Sequence, residues 1–167
     1  MLPLKKELRV RFKGAKRAAI LGIGSPLRGD DALGLVLIEE LRKSLKGAKR
    51  RIRVKLFSCQ TAPENFTGEI KKFKPDIILI IDALDMGKKA GRMSALDAKA
   101  KSVNVSFSTH GLPIKMFIDY LHHALSCRVI TIGIQPKSLE FGAVLSKDVK
   151  KSIGKLSTLL KEILSWR

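Results

Sequence analysis

Residues 18–42 read AAILGIGSPLRGDDALGLVLIEELR and decide the fold class. The first apolar run is too short for a helix, ends in the turn Gly22-Ile-Gly24, and is followed by apolar residues at helical spacing. A strand, a glycine turn and a helix in this order are typical of a parallel sheet covered by helices. The turn also carries two acids in succession, Asp30 and Asp31.

The same alternation of short apolar runs and helical segments continues along the chain. Strands are predicted over residues 17–24, 51–58, 75–82, 103–107 and 128–134, and helices over 31–46, 61–73, 112–125 and 146–166. The run IILII, residues 77–81, is apolar on both faces and predicts a central strand, whereas the second strand alternates basic and apolar residues as an edge strand does. Thr61 and Glu64 have the spacing of a capping box.

We therefore expect an α/β fold: a single-domain three-layer sandwich, with a mostly parallel twisted sheet of about five strands and helices on both faces. Residues 1–16 are strongly basic and weakly periodic. They are interpreted as a basic N-terminal extension, laid on the domain or mobile, in front of one domain over residues 17–167.

The chain carries 33 Lys plus Arg against 15 Asp plus Glu, a net charge of +18. This charge favours acidic partners, but the basic residues are spread along the chain and Asn and Gln are scarce, as on the surface of a thermophile protein. One Trp and one Tyr are too few for the stacking platforms of single-strand binders. We expect no nucleic-acid partner.

The cysteines, Cys59 and Cys127, are too few for a disulfide scaffold and lack the spacing of a zinc motif. No apolar run approaches the roughly 18 residues that span a bilayer, and the N-terminus lacks the apolar stretch of a signal peptide. The sequence predicts a cytoplasmic protein that does not bind a membrane.

The glycine turn does not match a dinucleotide site. Leu27 stands where the third glycine would be, and the second strand ends without an acid for a ribose hydroxyl. Asp30 and Asp31 would also repel a pyrophosphate at the helix N-terminus. One of them could cap the helix, but the other would then be free to point across the end of the sheet, so the local pattern leaves capping and function open.

Three candidate ligands follow different strands. Asp31 comes after the first strand, Asp82 ends the third, and His110 follows the fourth. Because ligands of open parallel sheets lie at the carboxyl ends of the strands, we expect the three side chains to converge there. Two carboxylates and an imidazole form an open site for a divalent transition metal. The pair His122-His123 is predicted on the surface or flank of its helix.

Five motifs, in order, resemble those of one family: GIGSPLRGDDALG (22–34), TAPENF (61–66), IIDALDMG (80–87), STHGLP (108–113) and IGIQP (132–136). Together they are similar to the maturation endopeptidases of nickel-iron hydrogenases, particularly the branch that serves formate hydrogenlyase-type enzymes. The resemblance covers about residues 17–165.

The resemblance implies an endopeptidase that removes a carboxyl-terminal extension from the hydrogenase large-subunit precursor after nickel insertion. It assigns Asp31, Asp82 and His110 as catalytic and metal-binding residues, with the nickel supplied by the substrate. Asp30 would cap the helix or support Asp31. The sequence does not determine the oligomeric state, and we expect a monomer.

Two departures from the family pattern leave alternatives open. Ser25 replaces a common Asn, and Ser58-Cys59-Gln60 stands where the family often has an Asp-Gly-Gly stretch. Cys59 as nucleophile and His110 as base would make a thiol hydrolase. A third hypothesis is a non-catalytic module that binds the nickel-loaded precursor.

Overall fold

The computed structural model describes residues 2–97, 106–107 and 111–165. Its helices are α1 Leu2–Arg11, α2 Leu33–Leu45, α3 Thr67–Phe73, α4 Gly111–Ala124 and α5 Lys147–Leu164. Its strands are β1 Arg17–Ile23, β2 Arg53–Gln60, β3 Ile77–Asp85, β4 Met93–Asp97, β5 Ser106–Phe107 and β6 Arg128–Ile134. Short 3-10 turns over Gly29–Ala32 and Pro63–Phe66 precede α2 and α3.

The strands form one sheet in the order β2-β1-β3-β6-β4, and β5 pairs with the end of β3. The first four are parallel, and β4 runs antiparallel to β6. The predicted central position of β3 and edge position of β2 are confirmed. The chain leaves β1 toward β2 and returns to the other side of β1 for β3, so the topological switch point lies between β1 and β3.

Apolar side chains fill both faces of the sheet. On one face α1, α2 and α5 cover residues such as Ile20, Leu79 and Ile132. On the other face α3 and α4 cover residues such as Leu21 and Ile80. The predicted three-layer α/β sandwich is therefore confirmed, because each strand alternates its side chains between two helical layers.

The N-terminal extension is part of this packing. Residues 2–11 form α1, and the side chains of Leu8 and Phe12 are fully buried in the same core as α2 and α5. Lys5 and Arg9 of α1 pair with Glu162 of α5 at 2.7 and 3.8 Å. The extension was expected to be either laid on the domain or mobile, and in the structure it packs on the domain.

Two local predictions need correction or lie partly outside the described residues, and one strand was not predicted. The capping box is wrong within the described residues, since Ala62 stands at the N-cap and no side chain bonds there. The antiparallel edge strand β4 was not expected. Of the weak strand predicted over 103–107, Ser106–Phe107 pairs with β3, and the remainder lies outside the described residues.

No helix in the described ranges combines the length and hydropathy that a membrane crossing requires.

Candidate active site

The site residue Asp31 is brought to the end of β1 by a fold-back of the chain. Gly24 directly follows the strand with φ 132, and a Cβ on it would lie 1.7 Å from the Asp31 carbonyl oxygen. Only glycine allows this approach. The Ser25 amide then donates to Asp31 Oδ2 at 2.9 Å, and the Asp31 side chain is fully buried.

Helix α2 begins in contact with the sheet backbone. A Cβ on Gly34 would lie 2.4 Å from the Ile23 carbonyl oxygen and 2.8 Å from that of Ile81. The missing side chain lets the first turn of α2 rest directly on β1 and β3. The approach fixes the segment that carries Asp31 over the switch point, next to β3. Asp82 lies inside β3, which continues to Asp85 and so is longer than the predicted strand that ended at Asp82.

Asp82 is a buried carboxylate with one unsatisfied oxygen. It is 1% exposed, and its Oδ1 accepts a hydrogen bond from the Ala83 amide at 2.8 Å. Its Oδ2 has no hydrogen-bond partner among the described residues. Burial, and then the nearby charge of Asp31, raise the pKa of Asp82 to about 7. The structure thus brings Asp31 and Asp82 together as an electrostatically coupled pair.

The third predicted ligand, His110, lies outside the described residues. Within the described ranges, no three His, Cys, Asp or Glu side chains gather in a group that could hold a metal ion. Of the three predicted ligands, the structure therefore describes the two carboxylates, Asp31 and Asp82. His122 is half-buried and His123 exposed on α4, which matches their predicted place on the flank and surface of the helix.

Asp30 has a different role from its neighbour. Its Oδ1 accepts from the Ser146 amide at 2.6 Å, and its Oδ2 from the Lys137 amide at 2.7 Å and the Ser146 hydroxyl at 2.9 Å. The Ser138 amide adds a longer bond of 3.3 Å. The predicted capping of α2 is wrong within the described part, where Ala32 is the N-cap and no side chain bonds there. Asp30 joins two loops.

Gln135, the polar residue of the motif IGIQP, bonds to the segment that follows β3. Its Oε1 accepts from the amides of Met86 and Lys88 at 2.7 and 3.2 Å, and its Nε2 donates to Asp85 Oδ1 at 3.1 Å. It is 7% exposed. The side chain therefore holds the loop that follows β3. A polar residue directly after the apolar run of β6 was the signal in the sequence that could have identified it.

Cys59 lies at the end of β2, away from solvent. It is 2% exposed, and its thiol contacts the Phe57 carbonyl oxygen at 3.8 Å. Burial, and then the charge of Glu64, raise the pKa of the thiol to about 12. Since the thiolate is the nucleophilic form, this environment disfavours the thiol hydrolase hypothesis.

Comparison with known proteins identifies the family. The family model described as hydrogenase maturation protease matches residues 35–166. The chain belongs to this family of hydrogenase maturation proteases. A Methanocaldococcus jannaschii relative that carries the hydrogenase maturation protease name is 37% identical, over 96% of each chain. The hydrogenase 3 maturation protease of Escherichia coli K12 is 28% identical over 88% of each chain.

Solved structures agree with this membership of the maturation protease family. A NiFe hydrogenase maturation protease from Thermococcus kodakarensis superposes with a TM-score of 0.81 at 32% identity, covering 94% of this chain and 97% of that one. An Escherichia coli endopeptidase of the same kind superposes with a TM-score of 0.73 at 28% identity, covering 87% and 90%. The predicted family, fold and enzyme class are confirmed.

Proposed function

We propose that this maturation protease removes the carboxyl-terminal extension of a nickel-iron hydrogenase large-subunit precursor, and that it recognises the inserted nickel through Asp31, Asp82 and His110. The same three residues are proposed to act at the scissile bond. The nickel arrives with the precursor and is part of the substrate. The proposal places the reaction in the cytoplasm and the protease in a monomeric state.

The observation that carries the proposal is the unsatisfied carboxylate of Asp82. A buried carboxylate beside a second one is costly, because burial and like charge both disfavour ionisation. A cation that binds both groups removes this cost. Carboxylate and imidazole ligands suit nickel, and an incomplete protein ligand set leaves positions for groups that the precursor brings.

The pair also gives a physical basis for dependence on nickel. Without a cation, the raised pKa leaves part of the Asp82 population protonated near neutral pH. Ionisation of Asp82 is favoured when the metal-bearing precursor is in place. Asp31 and Asp82 would therefore bind the loaded precursor more tightly than the empty one.

The test uses purified large-subunit precursor, with and without nickel, and follows its mass by mass spectrometry. We expect the wild-type protease to shorten only the nickel-loaded precursor, and His110→Ala to leave it at full length. His123→Ala is the matched control, because this imidazole is exposed on α4, and it should cut as the wild type does.

Two outcomes would contradict the proposal. A complex with loaded precursor that stays at full length would support the non-catalytic module instead. Unchanged cutting by His110→Ala would remove the proposed role of the imidazole.

A further inference from the structure

Three exposed apolar side chains lie beside the candidate site, at the carboxyl edge of the sheet. Leu27 is in the loop after β1, and Phe141 and Val144 are in the loop between β6 and α5. Their exposed fractions are 59%, 74% and 83%. We name these three side chains the apolar rim.

The two loops that carry the rim are fixed to each other. The Gly142 amide, next to Phe141, donates to the Leu27 carbonyl oxygen at 2.9 Å. The Asp30 amide donates to the Ser138 carbonyl oxygen at 2.9 Å, in addition to the bonds that the Asp30 carboxylate accepts. The rim is therefore presented by two loops that hydrogen bonds, several of them to the buried Asp30 carboxylate, hold together.

Exposure of these side chains carries a free-energy penalty that a partner could remove. Burying a Leu, Val or Phe side chain against a partner removes apolar surface from water and stabilises the complex. Isolated exposed apolar residues are ordinary, but apolar residues held together by clamped loops next to a site indicate an interaction surface.

The rim is continuous with the candidate site. Three residues, Arg28, Gly29 and Asp30, separate Leu27 from Asp31, and the loop folds over Asp31 through the Ser25 amide. A polypeptide that binds at Asp31 therefore has this loop as an immediate neighbour, and its body can contact the rim.

Charge specifies the partner further. The rim is flanked by the exposed basic residues Arg28, Lys137 and Lys147 and by two exposed acids, Glu140 and Asp148. The local balance is slightly basic, and the whole chain carries +18. These charges favour a protein surface that is apolar at its centre and acidic around it.

We propose that the apolar rim is the docking surface for the folded body of the large-subunit precursor, apart from its carboxyl-terminal extension. This inference rests on the proposed function and adds a binding surface to it. In this proposal the rim contacts the protein surface of the precursor, whereas Asp31 and Asp82 contact its metal. Docking on the rim therefore does not require nickel.

The experiment measures the Kd of nickel-free precursor by calorimetry and the kcat/KM for cutting loaded precursor. Phe141→Ser/Val144→Ser should weaken binding at least about tenfold and lower kcat/KM by the same factor. Val10→Ser is the matched control, since Val10 is 64% exposed on α1, and it should match the wild type. The melting temperature of each variant shows that the fold is kept.

The outcomes separate this inference from the proposed function. If the wild type cuts loaded precursor but the double variant binds and cuts within twofold of it, the rim proposal is wrong and the proposed function stands. If the wild type neither binds nor cuts the precursor, both are wrong. Dimerisation of the wild type, abolished in the double variant, would assign the rim to a second copy and overturn the proposal.

Discussion

Two buried aspartates at the same edge of the sheet have opposite surroundings. Asp30 accepts bonds from two backbone amides and a hydroxyl within 2.9 Å. Asp82 accepts one, from the Ala83 amide, and its Oδ2 has no partner among the described residues. Both side chains are almost completely buried.

The difference shows how to separate a structural acid from a functional one. Hydrogen-bond donors around Asp30 satisfy its charge inside the protein, so its burial stabilises the fold. Burial and the nearby charge of Asp31 both disfavour the ionised form of Asp82. An ionised Asp82 therefore destabilises the fold unless a cation binds to it. Unsatisfied charge of this kind is typical of functional sites.

The largest expected effect is on activity, in Asp82→Asn. The neutral amide removes a proposed ligand, so cutting of loaded precursor should fall by more than the roughly 10- to 100-fold cost of losing a residue that only supports a metal ligand. The fold should remain intact. Asp85→Asn is the matched control, because Asp85 ends the same strand at an exposed position, and it should retain cutting in the mass assay.

The next largest effect is on stability, in Asp30→Asn. The NH2 group of the new Asn side chain is a hydrogen-bond donor, and it would face the backbone amides that now donate to Asp30. The free energy of unfolding should therefore fall by about 2–4 kcal/mol. Ser146→Ala, which loses the hydroxyl bond to Asp30 and the N-cap of α5, should lose about 1 kcal/mol. Urea denaturation measures both. A stability of Asp30→Asn equal to the wild type would contradict the structural role.

A smaller effect is the pH dependence of stability. The folded protein holds the Asp82 proton more tightly than the unfolded chain, because the pKa is raised from 3.8 to about 7. Unfolding therefore becomes more favourable as pH rises from about 4 to about 7, between the two pKa values, and this loss of stability is complete above pH 7. Asp82→Asn lacks this loss and should be more stable than the wild type at pH 8 by roughly 2–4 kcal/mol.

The measurement is the difference in free energy of unfolding between the two proteins from pH 4 to pH 8. It should grow in favour of Asp82→Asn up to pH 7 and then stay level. A difference that does not change with pH would show that Asp82 is not a strained carboxylate.

The smallest expected effect is in Cys59→Ala. The buried, protonated thiol is not a nucleophile, so kcat/KM should stay within about twofold of the wild type, with about 1 kcal/mol of stability lost to the smaller side chain. Initial rates of cutting check this. Complete loss of turnover with the fold retained would restore the thiol hydrolase hypothesis.

Most of the sheet could be predicted from the sequence, because the strands covered on both faces read as apolar runs. Strand β6 has the predicted bounds, 128–134. Helix α1 was missed because Leu4 and Leu8, its buried residues, are outnumbered by basic ones. Strand β4 was missed because a five-residue antiparallel edge gives little periodicity.

The acid pair could be predicted because strand ends of a parallel sheet meet, which needs only the position of each residue relative to its strand. The partners of Asp30 could not be predicted, because all of them except the Ser146 hydroxyl are backbone amides, which every residue except proline has. The exposure of Phe141 and Val144 was equally hidden, since nothing in a short loop sequence shows which side chains face outward. The roles of Asp31, Asp82 and His110 remain predictions.

The hydrogen bonds that the Asp30 carboxylate accepts from Lys137 and Ser146, here called the clamp, join residues that are 107 to 116 positions apart in the chain. During synthesis the segment with Asp30 leaves the ribosome long before Lys137 and Ser146 do, so the clamp cannot close until most of the chain has emerged. A nascent chain that ends before Ser146 lacks these bonds, so they cannot hold the loop beside Asp31 in its folded position until that residue has been made.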